Sequence, residues 1–400
     1  MFSFGTQGSK STYGVVIDIG SGSVGVGVVA SREGAAVPQL LFTHREYLRT
    51  TGAISKNRDV RMRKLREALF AALLVLNGDG LAALRAHAKH ATIEKVLVTC
   101  SSPWSHTISR SISYDHEERD RITKGLIADL IASAEDEIAN TLEESAIIEK
   151  LGLHVVERNT VDVRVNGYLV KDPVGLKGTT IDLSHITGLI PGAMLETIDE
   201  MHDKTFVNAS ISVHTYMLVA YCVMRDLFSE MPSFCIVDIT SESTEIGIVE
   251  VGVLRETSHV PTGSHTLVRA VQEQTKGTHD DAVSLLRSHA EGTLAPSNMS
   301  VIKKALATYT ESVGTVFDSL QKSRRIPLTM IVTADPELET LFSTLLPTTM
   351  ESRSKSTYTA LELRAALLQE TAQTQNPDIF IALSSRFFHK LHGCGDLEMS

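Results

Sequence analysis

Cysteine is scarce in this chain and its placement gives thiol chemistry little to work with. Cys100, Cys222, Cys235 and Cys394 stand far apart with no Cys-x-x-Cys pair. That spacing excludes a thiol redox couple or thiolate metal cluster and fits a reduced compartment. No secretory signal and no apolar run of ~18 residues or more is evident, so a cytoplasmic chain that does not span a bilayer is expected. Positive charge is also in deficit. The 38 Lys and Arg against 48 Asp and Glu leave a net charge of −10, which argues against coating nucleic acid or an anionic bilayer through the overall field. No nucleic-acid partner is expected. Among fifteen histidines, His87 and His90 in "RAHAKH" come nearest to a metal pair. No third ligand follows at zinc spacing, and they read as a solvated helix face.

What is present is ample apolar material: 42% hydrophobic residues over 400 positions, enough for two or three domains with real cores. Near the start, "VVIDIGSGSVGVGVVA" (15–30) joins two β-rich runs through Gly20-Ser21-Gly22-Ser23, a hairpin whose turn is expected to need positive φ. A strand follows at Leu40-Leu41-Phe42. Residues 58–90 carry a helical period through Leu65, Leu69, Leu73, Leu76 and Leu81. "KVLVTCSS" and "SHTISRSISY" read as strands, 118–149 as an acidic helical region, and "LHVVERNTVDVRVNGYLV" as a strand pair. "TTIDLSHITGLI" is a further strand, followed by a helix over 192–203, the strand "NASISVHT" and a long apolar helix over 213–229. The order then recurs with "FCIVDI", "TEIGIVEVGVL", "RETSHVPTG" and a helix over 264–275.

The recurrence fixes architecture better than one motif does. Aligning "VVIDIGSGSVGVGVVA" with "CIVDITSESTEIGIVEVG" places Asp18 on Asp238, each ending a buried strand before a small-residue turn and a returning strand. In such a pair of hairpins, turn N–H groups and hydroxyls can cradle a polyphosphate while the aspartates hold the water shell of Mg²⁺. The competing reading is that both hairpins are purely structural.

At this point the chain resembles the FtsA/PilM family of actin-like ATPases, over roughly residues 13–390. "IDIGSGSVGVGVV" is similar to the family's first phosphate loop. "LHVVERNTVDVRVNGYLVKDPVGLKGTTIDLSHITGL" resembles the segment where an inserted small domain returns to the main lobe, with Asp172 to Gly178 reproducing an Asn/Asp-Pro-x-Gly-x-x-Gly turn. "IVDITSESTEIGIVEVGVLRETSHVPTGSHTLVRAV" resembles the second phosphate loop with Gly263 after its last strand, and "NPDIFIALSSRFF" the closing strand and helix. The resemblance implies an α/β, two-lobed actin-like fold, a duplicated RNase H-like unit with an inserted small α/β domain of SHS2 type. It places the first lobe at 12–92 and 171–212, the insert at 93–170 hinged near Lys171 and Asp172, and the second lobe, with a reduced upper subdomain, at 213–400. It implies ATP with Mg²⁺ as ligand, contacted by Asp18, Gly20, Ser21, Gly22, Ser23, Asp238, Thr240, Ser241, Ser243, Gly263 and Thr333. Asp18 and Asp238 would hold the metal through water.

The departures from the family pattern cluster on that site. Where the family has Asp-x-Gly-Gly-Gly-Thr-Thr-Asp, this chain has Asp238-Ile239-Thr240-Ser241-Glu242-Ser243-Thr244-Glu245. Left-handed geometry at a non-glycine residue costs about 1–2 kcal/mol, and a Cβ blocks close approach to phosphate. Glu242 facing phosphate at ~4 Å would add about 4 kcal/mol of repulsion at an effective dielectric of ~20. The adenosine loop becomes Thr333-Ala334-Asp335-Pro336, and "NASISVHTYML" lacks the carboxylate that precedes the central helix in many relatives.

The expectation is therefore weak nucleotide binding and a scaffolding role at the cytoplasmic face of the membrane. An FtsA-like division protein is the first choice, a PilM-like pilus or secretion component the alternative, and an active ATPase the second alternative. Self-association and a tubulin-like division protein are the partners the resemblance implies. The short stretch "RSHAEGTLAPSNMSVIKKAL" weakens the case for docking the latter, as the brief tail "SSRFFHKLHGCGDLEMS" does for a strong C-terminal membrane anchor. Phe2 and Phe4 are expected in a disordered terminus.

Overall fold

Two five-stranded sheets repeat one plan in the computed structural model, which describes residues 11–48, 58–144, 152–361, 363, 364, 367 and 378–393. The first has the order β3-β2-β1-β4-β9, from Gln39–Tyr47, Ser23–Arg32, Ser11–Ile19, Lys95–Cys100 and Ser210–Thr215. The second has the order β12-β11-β10-β13-β14, from Val253–Val260, Thr244–Glu250, Phe234–Ile239, Thr329–Ala334 and Thr359–Leu361. In each, a central strand pairs antiparallel with the next strand in sequence and parallel with a later one. The central strands "VVIDI" and "CIVDI" are buried on both faces, which explains their unbroken apolar run before the acid.

A third sheet, β5-β8-β6-β7, is the insert. It joins His106–Arg121, Lys177–Pro191, Leu153–Val165 and Tyr168–Leu169, all antiparallel. Helix α3 (Lys124–Glu144) covers it, with Leu130 packed on Val165, Ile181 and Leu183. The expected bounds of this unit move at both ends. β4, read as its first strand, pairs parallel with β1 (Ile17↔Val98) and belongs to the first lobe, as its wholly apolar Val96-Leu97-Val98 run demands of a doubly covered strand. β8 is the central strand of the insert, so the Asp172–Gly178 turn lies within the insert and does not close it. There Asp172 Oδ1 accepts from the Val174 N–H at 3.0 Å and Gly175 sits at φ +89°, an Asx-type turn ending in the left-handed region.

Helices fill the remaining space. Helix α1 (Arg58–Val75), a wide turn over Leu76–Gly80 and α2 (Leu81–His87) lay Leu65, Leu69, Leu73, Leu76 and Leu84 on the first sheet. The stretch Asp59–His87 contains an 18-residue window apolar enough to cross a membrane, with mean hydropathy 1.5 over that window. That departs from the expected lack of such a run; 39% of its apolar window is buried, through core residues such as Leu69 and Leu73, while Leu74 is exposed. Helix α4 (Gly192–Thr205) joins the same core through Met194, Ile198 and Met201. Helix α5 (Tyr216–Leu227) carries the chain from one lobe to the other and is buried from Tyr216 to Met224, as an all-round apolar helix must be. Helices α6 (Ser264–Thr275), α7 (His279–Ala290), α8 (Met299–Ser323) and α9 (Glu339–Arg353) cover the second sheet. Helix α10 (Ile379–His392) returns to the first lobe, its Asp378 N-cap accepting from the Phe380 and Ile381 N–H groups. Met1 to Lys10, including Phe2 and Phe4, and the tail from Cys394 lie outside the described residues, as do 145–151 of the expected acidic helix. Cys100, Cys222 and Cys235 are buried and free.

Candidate functional site: a closed seam between two phosphate-loop hairpins

The two hairpin turns are closed alike. The Gly20 N–H donates to the Ser23 carbonyl at 3.0 Å, and the Thr240 N–H to the Ser243 carbonyl at 2.9 Å. Each preceding aspartate is fully buried and paired with a threonine on the parallel neighbour strand. Thr99 Oγ1 donates to Asp18 Oδ1 at 3.2 Å, and Thr333 Oγ1 to Asp238 Oδ1 at 2.8 Å. The duplication read from the sequence therefore extends to side-chain hydrogen bonds.

The backbone corrects one expectation about glycine. Neither Gly20 nor Gly22 has positive φ, and no residue from Thr240 to Ser243 does either. Loss of glycine from the second loop consequently costs no left-handed strain. The first loop needs glycine for space: a Cβ on Gly22 would fall inside the Ser241 hydroxymethyl group of the opposite lobe.

That contact shows what the loops do. The Glu242 N–H donates to Ser21 Oγ at 2.9 Å across the seam, and Thr240 Oγ1 donates to the Ser102 carbonyl at 3.0 Å. The N–H groups of Ser264 and His265, at the start of α6, donate to the Thr240 and Ser241 carbonyls at 3.0 and 2.9 Å. Gly263 packs directly on that backbone. The residues expected to hold phosphate are thus brought together, Asp18 with Gly20 to Ser23 on one side and Asp238, Thr240, Ser241, Ser243, Gly263 and Thr333 on the other. They meet one another, and the N–H groups of Gly20, Thr240, Glu242, Ser264 and His265 are used within the protein.

Charge on the floor points the same way. Arg45 on β3 reaches across Gly25 of β2, where a Cβ would lie 2.6 Å from its Nη2, to bond Asp18 Oδ2 at 2.8 Å. The same guanidinium donates to Ser23 Oγ at 2.8 Å and Asp378 Oδ1 at 3.0 Å, pairs with Asp378 Oδ2 through Nε, and lies 5.0 Å from the Phe380 ring centroid. Burial pushes the Asp18 carboxyl up from its ordinary value, while Arg45 pulls it down. For Asp378, the pull of Arg45 outweighs burial and holds the carboxyl low. Asp238 has no such partner. Its Oδ2 is buried without a hydrogen bond, and burial raises its pKa to about 7. Glu245, directly across from it on β11, is likewise buried with Oε2 unpartnered and its pKa raised. Tyr216 is buried beside this floor, its hydroxyl pushed well up by burial and then by Asp238.

Glu242, expected to repel phosphate, turns away from the seam. Arg269 Nη1 and Nη2 bond its carboxylate at 2.9 and 3.2 Å, and His265 lies 3.7 Å away. Burial opposes ionisation there, but His265 and Arg269 win and hold the pKa at about 2. The carboxylate missing before the central helix comes instead from the insert. Glu157 accepts from the Thr215 N–H at 3.0 Å and Thr215 Oγ1 at 2.7 Å, and lies 2.7 Å from His214 Nδ1. Sequence reasoning missed Arg45, Asp378, Thr99 and Glu157. Only Arg45 left a local signal, the alternating Gly25 and Gly27 of β2 that open a lane across the sheet.

Asp335 and Pro336 of the altered adenosine loop stand on the second lobe. Burial raises the Asp335 carboxyl, with Arg45 opposing. Pro336, Glu339, Thr340 and Arg364 face Arg45 and Asp378 across an open cavity of about 1000 Å³. A magnesium nucleotide does not fit the residues as they stand. The hairpin turns touch, Asp18 is bonded through both oxygens, and Asp238 is uncompensated. Among the described residues no group of three His, Cys, Asp or Glu is placed to hold a metal.

The matched five-stranded sheets, the hairpins ending in buried aspartates and the crossing helix α5 define the actin-like ATPase fold. No protein-family model matches the chain, and no curated protein matches it in sequence. Solved structures do. A chain of a PilM-PilN type IV pilus biogenesis complex is similar over 94% of this chain and 98% of its own, with TM-score 0.59 and 10% identity. The ethanolamine utilization protein EutJ from Carboxydothermus hydrogenoformans matches over 93% of this chain and 89% of its own, with TM-score 0.42 and 10% identity. A Bacteroides thetaiotaomicron VPI-5482 protein with an actin-like ATPase fold and unknown function matches over 96% and 99%, with TM-score 0.43 and 12% identity. At these identities the likeness is one of fold.

Proposed function

We propose that the protein is a scaffold with an actin-like fold, binding partner proteins at the cytoplasmic face of a membrane and turning over no nucleotide. The observation that carries this reading is the closed seam: Ser21 bonded to Glu242, Gly22 seated on Ser241, and Asp18 neutralised by Arg45. Phosphoryl transfer is mostly positioning and charge stabilisation, so a cleft whose loop donors already bond oxygens of the protein has little left for catalysis. A pilus or secretion platform of the PilM kind is favoured, because the PilM-PilN likeness runs over nearly the whole of both chains. A division scaffold of the FtsA kind is the second reading; it keeps only the sequence likeness of the turn at Asp172 to Gly178, which lies inside the insert. Self-association and a tubulin-like partner belong to that second reading.

Two measurements test this. Trp104 is the sole tryptophan, and its Nε1 donates to the Gly20 carbonyl at 3.2 Å. Its emission therefore reports on the first loop and is expected to stay unchanged in Mg-ATP. Phosphate release is expected to remain at background, whereas turnover near ~1 per second, ordinary for an enzyme, would refute the scaffold reading. Co-purification with the products of flanking genes separates the two assemblies. Pilus or secretion components support the first reading, and division components the second.

A further inference from the structure

The two lobes differ in one row of their matched sheets. In the first lobe the row across the strands reads Thr99, Asp18, Gly25, Arg45. In the second it reads Thr333, Asp238, Glu245, His259. Gly25 opens a lane through which Arg45 reaches the aspartate. Glu245 fills the matching lane, and the second aspartate keeps an unpartnered oxygen.

We propose that Arg45 is the specificity-determining residue of the cleft: its guanidinium occupies the seat beside Asp18 that a hydrated divalent cation would need, and so excludes divalent metal from the first lobe. Four acceptor contacts hold this cation at the edge of the open cavity. Asp18 Oδ2, Ser23 Oγ and both oxygens of Asp378 accept from it, and Phe380 covers its face. The remaining Asp18 oxygen accepts from Thr99. Magnesium demands oxygen ligands in octahedral geometry and keeps several waters. A carboxylate bonded through both oxygens inside a packed hairpin offers neither a free ligand nor room for water. The planar guanidinium suits the task because its fork engages two carboxylates at once, which the point charge of a lysine does not do. A dication brought beside it would meet like charge in a buried site, where little water screens it.

Arg45 also ties two distant parts of the chain. Asp378 caps α10, the segment that returns to the first lobe, so the guanidinium fixes that return to the first phosphate loop. The charge that neutralises Asp18 is therefore built into the first lobe and independent of nucleotide or metal. This inference rests on the closed-cleft part of the proposed function and is independent of the kind of assembly served.

The test is a Mn²⁺ titration followed by electron paramagnetic resonance, on wild type, Arg45→Met and Gly25→Ala, with circular dichroism as the check of folding. Wild type is expected to show no saturable uptake. Arg45→Met is expected to bind Mn²⁺ at least about tenfold more tightly than wild type, and adding Asp18→Asn is expected to abolish the gain. Gly25→Ala retains the charge but pushes the guanidinium off Asp18, and intermediate uptake is expected; it carries the test if Arg45→Met does not fold. Wild type binding Mn²⁺ as tightly as the variants, or a folded variant with no uptake, overturns the proposal. Phosphate release is a separate readout, so failure here is distinguishable from failure of the scaffold reading.

Discussion

Replacing Asp238 by asparagine should stabilise the protein at alkaline pH. The side chain is fully buried, only its Oδ1 has a hydrogen bond, and burial lifts its pKa from 3.8 to about 7. At 1.36 kcal/mol per pKa unit, that shift is worth about 4 kcal/mol. The sign follows from proton uptake. Between these two pKa values the folded state holds a proton that the unfolded state has lost, so stability falls as pH rises from 3.8 to about 7, and the full penalty stands above that. Asparagine cannot ionise, keeps an oxygen for Thr333 and gains an N–H to offer the unpartnered Glu245 oxygen. Urea unfolding of wild type and Asp238→Asn from pH 4.5 to 8.5 should give a difference that is smallest at the acid end, about 1 kcal/mol, and grows to about 4 kcal/mol in favour of the variant at pH 8. Glu245 is raised by burial and then by Asp238; the variant removes the second cause and keeps the first. A variant destabilised equally at every pH would refute the reasoning, because it would mean that the carboxylate is needed in its charged form, as a metal site requires.

Three other outcomes are expected. Arg45→Met leaves Asp18 and Asp378 buried without their cation and should lose about 3–5 kcal/mol in urea unfolding. Gly22→Ala drives a methyl into Ser241 across the seam and should cost about 1–3 kcal/mol; Ser241→Gly on the same chain should recover most of that loss, and failure to do so would mean the turns are not in contact. Arg269→Ala should cost about 1 kcal/mol at neutral pH, since the pair with Glu242 is one-third exposed on the arginine side. Because Glu242 is held low at about 2, its contribution is present above its unfolded value of 4.5 and fades as pH falls toward 2, so the two proteins should converge in acid.

The duplicated sheets were legible because their signal is local. "VVIDI" and "CIVDI" each state a doubly buried strand, and the acid at the end marks a position where burial must be compensated. The strands of the third sheet were legible one by one, but not where that sheet begins and ends. β4 and β5 are separated only by the loop 101–105, and no composition shift tells a reader that the first returns to β1 while the second pairs with β8. Pairing partners far apart in sequence decide that, and single-sequence patterning does not carry them. Loss of glycine from the second loop misled in the opposite way. It read as damage to a turn, but the turn keeps its geometry because its residues have negative φ. What changed is the use of the N–H groups, and that depends on a seam formed by residues 221 positions apart.

The first and second lobes solve the same problem in different ways, and the difference bears on function. A buried aspartate at the end of a central strand is costly unless a cation or hydrogen bonds compensate it. In the first lobe Arg45 supplies the cation from within the chain. In the second lobe Asp238 and Glu245 lie side by side, and protonation replaces compensation, with the Asp238 pKa near 7. A site that cycled a magnesium nucleotide would need both aspartates ionised and reachable at neutral pH. This one keeps the first bonded to arginine and the second partly protonated. Neither arrangement calls on a ligand, and the contacts across the seam, Glu242 N–H to Ser21 Oγ and Thr240 Oγ1 to the Ser102 carbonyl, are likewise made by the chain's own residues, so the outer surface stays constant, which is what an assembly platform requires.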